Sequence, residues 1–91
     1  MAPNACNVRW AGCVQGVGFR AAVRRAANAL GVQGWVTNQQ DGSVEALLVG
    51  SLPAIDGVVN RIQMKGYSIL RCDQTPASVP PEPLGGFEIR Q

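Results

Sequence analysis

An α+β sandwich, one antiparallel sheet carrying two helices on one face, is the fold the sequence predicts. Three observations carry this expectation. Apolar residues alternate from Val8 to Val14, they recur at helical spacing from Val23 to Leu30, and the hairpin signal Asp41-Gly42 separates two strand-like runs ahead of a second helical pattern. With 91 residues, the chain has the length of a single domain, 1–91. A chain of this size buries roughly 60–65% of the surface its unfolded form exposes, enough for one sheet under one helical layer.

The elements follow in order. Val8, Trp10, Gly12 and Val14 alternate with Arg9, Ala11 and Cys13, the period of a strand with one buried face. The loop Gln15-Gly16-Val17-Gly18-Phe19 comes next. From Arg20 onward Val23, Ala26, Ala27 and Leu30 fall on one helical face, and Gly31 supplies a left-handed stop with Val32 packing back on the last turn. Gly34–Asn38 and Ser43–Gly50 read as a hairpin joined through Asp41-Gly42. Ser51 as cap, Pro53 in the first turn, and Ile55, Val58, Val59 and Ile62 on one face predict a second helix closing at Gly66. Gly57 inside it costs about 1 kcal/mol against alanine. Ser68–Gln74 reads as a fourth strand and Phe87–Arg90 as a short fifth. Pro76, Pro80, Pro81 and Pro83 between them predict an irregular connection over the surface. The order β-α-β-β-α-β with a short final strand is that of the ferredoxin-like split βαβ sandwich.

Composition narrows the function classes. The chain is 46% apolar and 15% charged with a net charge of +2, and its eight basic residues are spread along the sequence against six acidic ones. No basic stripe of the kind nucleic-acid binding rests on is visible, so no nucleic-acid partner is expected. The first residues lack a basic stretch followed by an apolar run, and no segment reaches transmembrane length. A cytoplasmic protein with no membrane partner is the expectation. Cys6, Cys13 and Cys72 make an odd number at spacings that form no metal or redox pair, which leaves at least one free thiol in a monomer. The absence of histidine removes Ser/His and Cys/His catalysis and the common zinc constellations.

What remains is an anion site. Gln15-Gly16-Val17-Gly18-Phe19-Arg20 lies where a strand hands over to a helix, and backbone N–H groups at a helix start lack intrahelical partners. Glycines at 16 and 18 let successive N–H groups converge on a tetrahedral oxyanion. Arg20 can add a planar fork of donors; as a cation at the positive end of a helix dipole it is otherwise poorly placed. Taken alone, Gly-Val-Gly also fits a tight turn that binds nothing, and Asn38 fits a turn residue at a strand end. A Walker A loop would need Gly-Lys-Ser/Thr, and a dinucleotide fingerprint a third glycine where Ala21 stands.

The stretches from Gly12 to Arg20 and from Gly34 to Glu45 (GWVTNQQDGSVE) resemble, in order and spacing, the two signature segments of acylphosphatases. The closing Gly86-Phe87-Glu88-Ile89 fits as well. The resemblance implies hydrolysis of carboxyl-phosphate anhydrides, with Arg20 binding the substrate phosphate, Asn38 orienting the attacking water and the backbone of Gln15, Gly16, Val17, Gly18 and Phe19 forming the cradle. It implies a small-molecule acyl phosphate as partner, inorganic phosphate as product and inhibitor, no metal or other cofactor, and a monomer. The chain departs from the family pattern at Tyr67, where a proline is usual, and at Ala21 and Ala22, where bulkier residues are common. The first departure is expected to alter the loop entering the fourth strand, the second to loosen packing near the site.

Two other readings keep the fold and change the function. One is a non-catalytic ferredoxin-like module, an RNA-binding or small-ligand regulatory domain; RNA binding would need paired exposed aromatic residues, and the chain has two Trp, two Phe and one Tyr without that arrangement. Domains resembling acylphosphatases also head larger carbamoyl-transfer proteins of hydrogenase maturation, where zinc fingers follow. The sequence reaches Gln91 without them, so the expectation is a free-standing enzyme unless the chain is an excised fragment of such a protein.

Overall fold

A computed structural model describes residues 3–82 and 84–90. Its elements are β1 (Asn4–Cys13), α1 (Phe19–Leu30), β2 (Gln33–Asn38), β3 (Val44–Gly50), α2 (Leu52–Gln63), β4 (Ser68–Ala77) and β5 (Phe87–Arg90). They form a ferredoxin-like α+β fold whose five strands lie in the order β4-β1-β3-β2-β5.

Side-chain parity sets the two faces of the sheet. Val8 and Trp10 of β1, Val36 of β2, and Val44, Ala46 and Leu48 of β3 point to the helical side and are buried. There they meet Phe19, Ala22, Val23, Ala26 and Ala27 of α1 and Ile55, Val58, Val59 and Ile62 of α2. Burial of each such valine or isoleucine is worth about 1.5–3 kcal/mol, so this layer is the main source of stability. Ring contacts fix where α1 begins. Phe19 packs edge-on between Trp10, 5.2 Å away, and Tyr67, 4.9 Å away. Tyr67, where the family usually has proline, is therefore a packing residue at the head of the helix. Of the two small residues after Arg20, Ala22 is fully buried in the core and Ala21 is part-buried.

The helix ends obey local rules. Gly31 takes a left-handed φ of 71° and Val32 N–H donates to the Ala27 carbonyl at 2.8 Å, closing α1. Ser51 Oγ accepts from Ala54 N–H at 3.3 Å and caps α2, with Pro53 in its first turn. That helix ends at Gln63 with Met64 as its cap, before the expected Gly66, because Met64 and Lys65 already close the last turn through bonds to Asn60 and Ile62. A Cβ at Gly57 would lie 2.8 Å from Leu30 Cδ1 of α1, so a larger residue there would have to displace the end of that leucine side chain.

Two expectations need correction. The sheet is mixed, since β5 runs parallel to β2 while the other pairings are antiparallel. After β4 the chain passes across the helix-free face, where Ala77 and Leu84 pack on Ala5, Leu47 and Val49, and it enters the opposite edge in the direction of β2. The fourth strand also continues past Gln74 to Ala77, with Pro76 inside it opposite Cys6. Proline is tolerated because β4 is an edge strand whose second side needs no donor. Pro80 and Pro81 lie in irregular chain as expected, and Pro83 falls outside the described residues.

Charges that look dispersed in sequence are sorted by layer. Arg20, Arg24, Arg25, Arg61 and Lys65 belong to α1, α2 and the turn after α2, against Asp56 alone. The remaining three bases and five acids lie in the strands and their connections.

Candidate active site

The sequence places two glycines where β1 gives way to α1, and the structure gives both a left-handed backbone, φ 74° at Gly16 and 77° at Gly18. An added Cβ at either would meet nothing within 4 Å. Glycine is therefore needed for the turn of the backbone and not for close packing, and the space beside it is open. Gly18 caps α1 without a side-chain bond, and the first turn holds no acidic residue. Among the described residues, no N–H between Gly16 and Ala21 appears as donor in the turn and cap bonds. Gly16, Gly18, Phe19, Arg20 and Ala21 border one small cavity at this helix start, where unpaired N–H groups and the positive end of the helix dipole favour an anion.

That cavity has a volume of about 160 Å³ and is bounded by Val14, Gly16, Gly18, Phe19, Arg20 and Ala21 on the loop and helix side, and by Asn38 and Ile89 across from them. Pockets for drug-sized ligands run to about 300–1,000 Å³, so this one suits a compact group. Arg20 is only part-exposed, and its Nη1 donates to the Arg90 carbonyl at 3.1 Å. This bond turns the side chain toward β5. Arg90 in turn pairs with Glu88 at 2.6 Å and places its guanidinium 5.1 Å above the Trp35 ring. Asn38 is the last residue of β2, on the helical side of the sheet and opposite Val44. Its Oδ1 is buried without a hydrogen-bond partner among the described residues; the other such side-chain atom, Trp10 Nε1, belongs to the core. An unsatisfied acceptor beside a polar cleft is a place for a ligand or an ordered water.

Not every residue expected at the site borders the cavity. Gly16, Gly18, Phe19, Arg20 and Asn38 do, while Gln15 and Val17 do not. Gln15 serves as a brace: its Nε2 donates to the carbonyls of Gln39 at 2.7 Å and Ser43 at 2.9 Å, tying the glycine loop to the β2–β3 turn. Val17 sits at the loop apex, about half exposed. That turn is itself held by Asp41, whose carboxylate accepts from Ser43 N–H and Oγ. Those bonds, the hydroxyl's first, lower the Asp41 pKa from its ordinary value, with a lesser contribution from Arg9. Sequence reasoning missed Val14, Ala21 and Ile89 as cavity walls, and the Arg90 carbonyl as a partner for Arg20. None of these carries a chemical signature; each arrives through tertiary placement.

Fold and cleft together define an α+β domain with an anion-sized cavity at a helix mouth, lined by one guanidinium and one amide. A profile of the acylphosphatase family matches residues 6–89. An acylphosphatase of Rhodopseudomonas palustris is 45% identical over 73 residues, 80% of this chain and 73% of that protein. The crystal structure of acylphosphatase from Bacillus subtilis superposes with a TM-score of 0.87 at 28% identity, covering 97% of this chain and 99% of that one. HypF from T. kodakarensis contains a similar unit, TM-score 0.81 at 26% identity, covering 97% of this chain but 12% of that one. The chain belongs to the acylphosphatase family and is an enzyme of that type.

Proposed function

We propose that this protein hydrolyses carboxyl-phosphate anhydrides by direct attack of water on phosphorus, without metal or other cofactor. The phosphoryl oxygens sit at the mouth of α1, where the N–H groups of the Gly16–Arg20 loop and the Arg20 guanidinium meet their charge. Asn38 holds the nucleophilic water through its side-chain amide. A bond forms from water oxygen to phosphorus as the bond from phosphorus to the acyl oxygen breaks, and the carboxylate departs with the electron pair. A carboxylate is a good leaving group and needs no acid to protonate it, which suits a chain without histidine. The water proton passes to a phosphate oxygen, giving inorganic phosphate. Positioning and charge stabilisation supply the catalysis.

The observation that carries this reading is that Arg20 and Asn38, 18 positions apart in sequence, border the same anion-sized cavity on the same side of the sheet. The three thiols are free and Cys13 is exposed, which fits a reducing compartment, and we place the protein in the cytoplasm as a monomer. The test is hydrolysis of benzoyl phosphate with no added metal. Inorganic phosphate should compete with substrate. Arg20→Ala should lose about 10²–10³ in rate, the scale seen when one transition-state donor is removed. Asn38→Ala should lower kcat while leaving phosphate inhibition nearly unchanged. Two folded variants as active as the parent would remove both assigned roles.

A further inference from the structure

A second depression lies along the outer seam of the helices. Arg25, Ala26 and Ala29 of α1 face Arg61 of α2 and Met64 and Lys65 of its exit turn around a volume of about 530 Å³. It shares no lining residue with the cleft at Arg20. Ala26 is buried and makes part of an apolar floor, while Met64 stands 87% exposed beside it. Three cations thus surround an apolar recess, and none of them has an acidic partner among the described residues.

The contrast with the sheet layer is what makes this arrangement informative. Its acids are largely engaged at home: Asp41 with Arg9, Asp73 with Arg71, and Glu88 with Arg90. Glu45 accepts a hydrogen bond from Gln39. A second copy of this chain therefore offers the groove few unpaired carboxylates. Like charges gathered around one recess repel each other, and a flexible thioether left in water gains nothing from exposure. Both costs are relieved by an occupant that brings negative charge and an apolar side chain together. A bilayer is a poorer match for this recess, because anionic-lipid recognition takes clusters of about 4–8 basic residues, whereas the recess is lined by Arg25, Arg61 and Lys65, with Met64 as the one large apolar side chain exposed there.

We infer that the α1·α2 seam is a docking groove for an acidic amphipathic helical segment of a partner protein. One apolar side chain of the segment enters over Ala26 against Met64, and carboxylates one turn to either side reach Arg25, Arg61 and Lys65. This is the helix-in-groove mode of recognition, with charge setting partner choice and encounter rate.

The test uses the full chain, ¹⁵N-labelled, and a synthetic helical peptide of about 18 residues, long enough to hold helix in water, with a leucine stripe flanked by glutamates. The expected result is saturable shift changes at Arg25, Ala26, Ala29, Arg61, Met64 and Lys65, with little change at Gly16, Gly18 and Asn38. Binding should weaken on raising salt through the range of about 50–300 mM, over which the Debye length shortens. The double variant Arg61→Glu/Lys65→Glu should bind at least about tenfold more weakly with benzoyl phosphate turnover unchanged. Arg61→Gln/Lys65→Gln, the milder pair, guards against a folding defect and should fall between. No saturable binding of the glutamate peptide would overturn the proposal. So would equal binding of a lysine-for-glutamate control peptide. Selective shifts with phosphatidylserine vesicles and none with the peptide would overturn it in favour of a membrane surface, and selective shifts with tripolyphosphate alone in favour of a small polyanion.

Discussion

Arg20 and Arg90, 70 positions apart, are joined by a single hydrogen bond of 3.1 Å from a guanidinium to a main-chain carbonyl. Because that bond uses one edge of the guanidinium, the donors that remain keep a defined direction beside the glycine loop. An ammonium cannot hold a carbonyl and a phosphate with the same planar geometry. Arg20→Lys should therefore recover little of what Arg20→Ala loses, remaining more than about tenfold below the parent in kcat/KM for benzoyl phosphate.

Glycines at different places should fail in different ways. Gly34 has φ 139°, and a Cβ there would overlap the Leu47 carbonyl oxygen, so Gly34→Ala must push β2 from β3. A loss of about 3 kcal/mol or more, or no folded protein, is expected in urea denaturation. Gly18→Ala meets no atom and carries only left-handed strain, about 1–2 kcal/mol, so it should fold while binding phosphate more weakly. Thermal melts with and without inorganic phosphate distinguish the two.

Burial raises the thiol pKa of both Cys6 and Cys72, with neighbouring acid charge, Asp56 and Asp73 respectively, adding to it. Cys13 is exposed. Iodoacetamide at about pH 8 should modify Cys13 first, since the thiolate is the reactive form and access is open there. Peptide mass mapping after a short reaction reads the order; equal labelling of all three would contradict the packing of Cys6 and Cys72.

Asp41 offers a pH test. Its folded pKa lies below the ordinary value, so the stability it contributes is present above the unfolded pKa of about 3.9 and disappears as pH falls through the lower folded value. Ser43→Ala removes the hydroxyl and should raise the Asp41 carboxyl titration toward its unfolded position, as followed by carbon NMR. The main-chain bond from Ser43 remains, so the rise should be partial.

Gln15→Ala tests the brace. Losing two carbonyl bonds frees the glycine loop from the β2–β3 turn and leaves those carbonyls to water. Turnover should fall several-fold while the melting temperature drops by no more than about 8 °C, the shift of roughly 1 kcal/mol in a domain of this size.

What was legible in the sequence follows the range of the interactions. Gly31, Ser51, Pro53 and Asp41-Gly42 act within a turn or two of themselves, and the elements they bound stand where periodicity and capping put them. Pairing in space was less legible. The parallel direction of β5, the strand around Pro76 and the stacking of Tyr67 on Phe19 depend on contacts across the fold that no local pattern encodes. The cleft divides the same way. Arg20, Asn38, Gly16 and Gly18 stood out by residue type and by resemblance, whereas Ile89 as a wall and Gln15 as a tie are products of assembly.

The placement of β5 orders events during synthesis on the ribosome. The glycine loop, α1 and Asn38 are made early, yet a wall of their cavity and the acceptor for the guanidinium belong to residues 89 and 90. A nascent chain ending anywhere before them would lack that wall and that acceptor, so the cleft would stay open on the β5 side. Competence to grip an anion should thus emerge late and abruptly, when the last strand seats along β2.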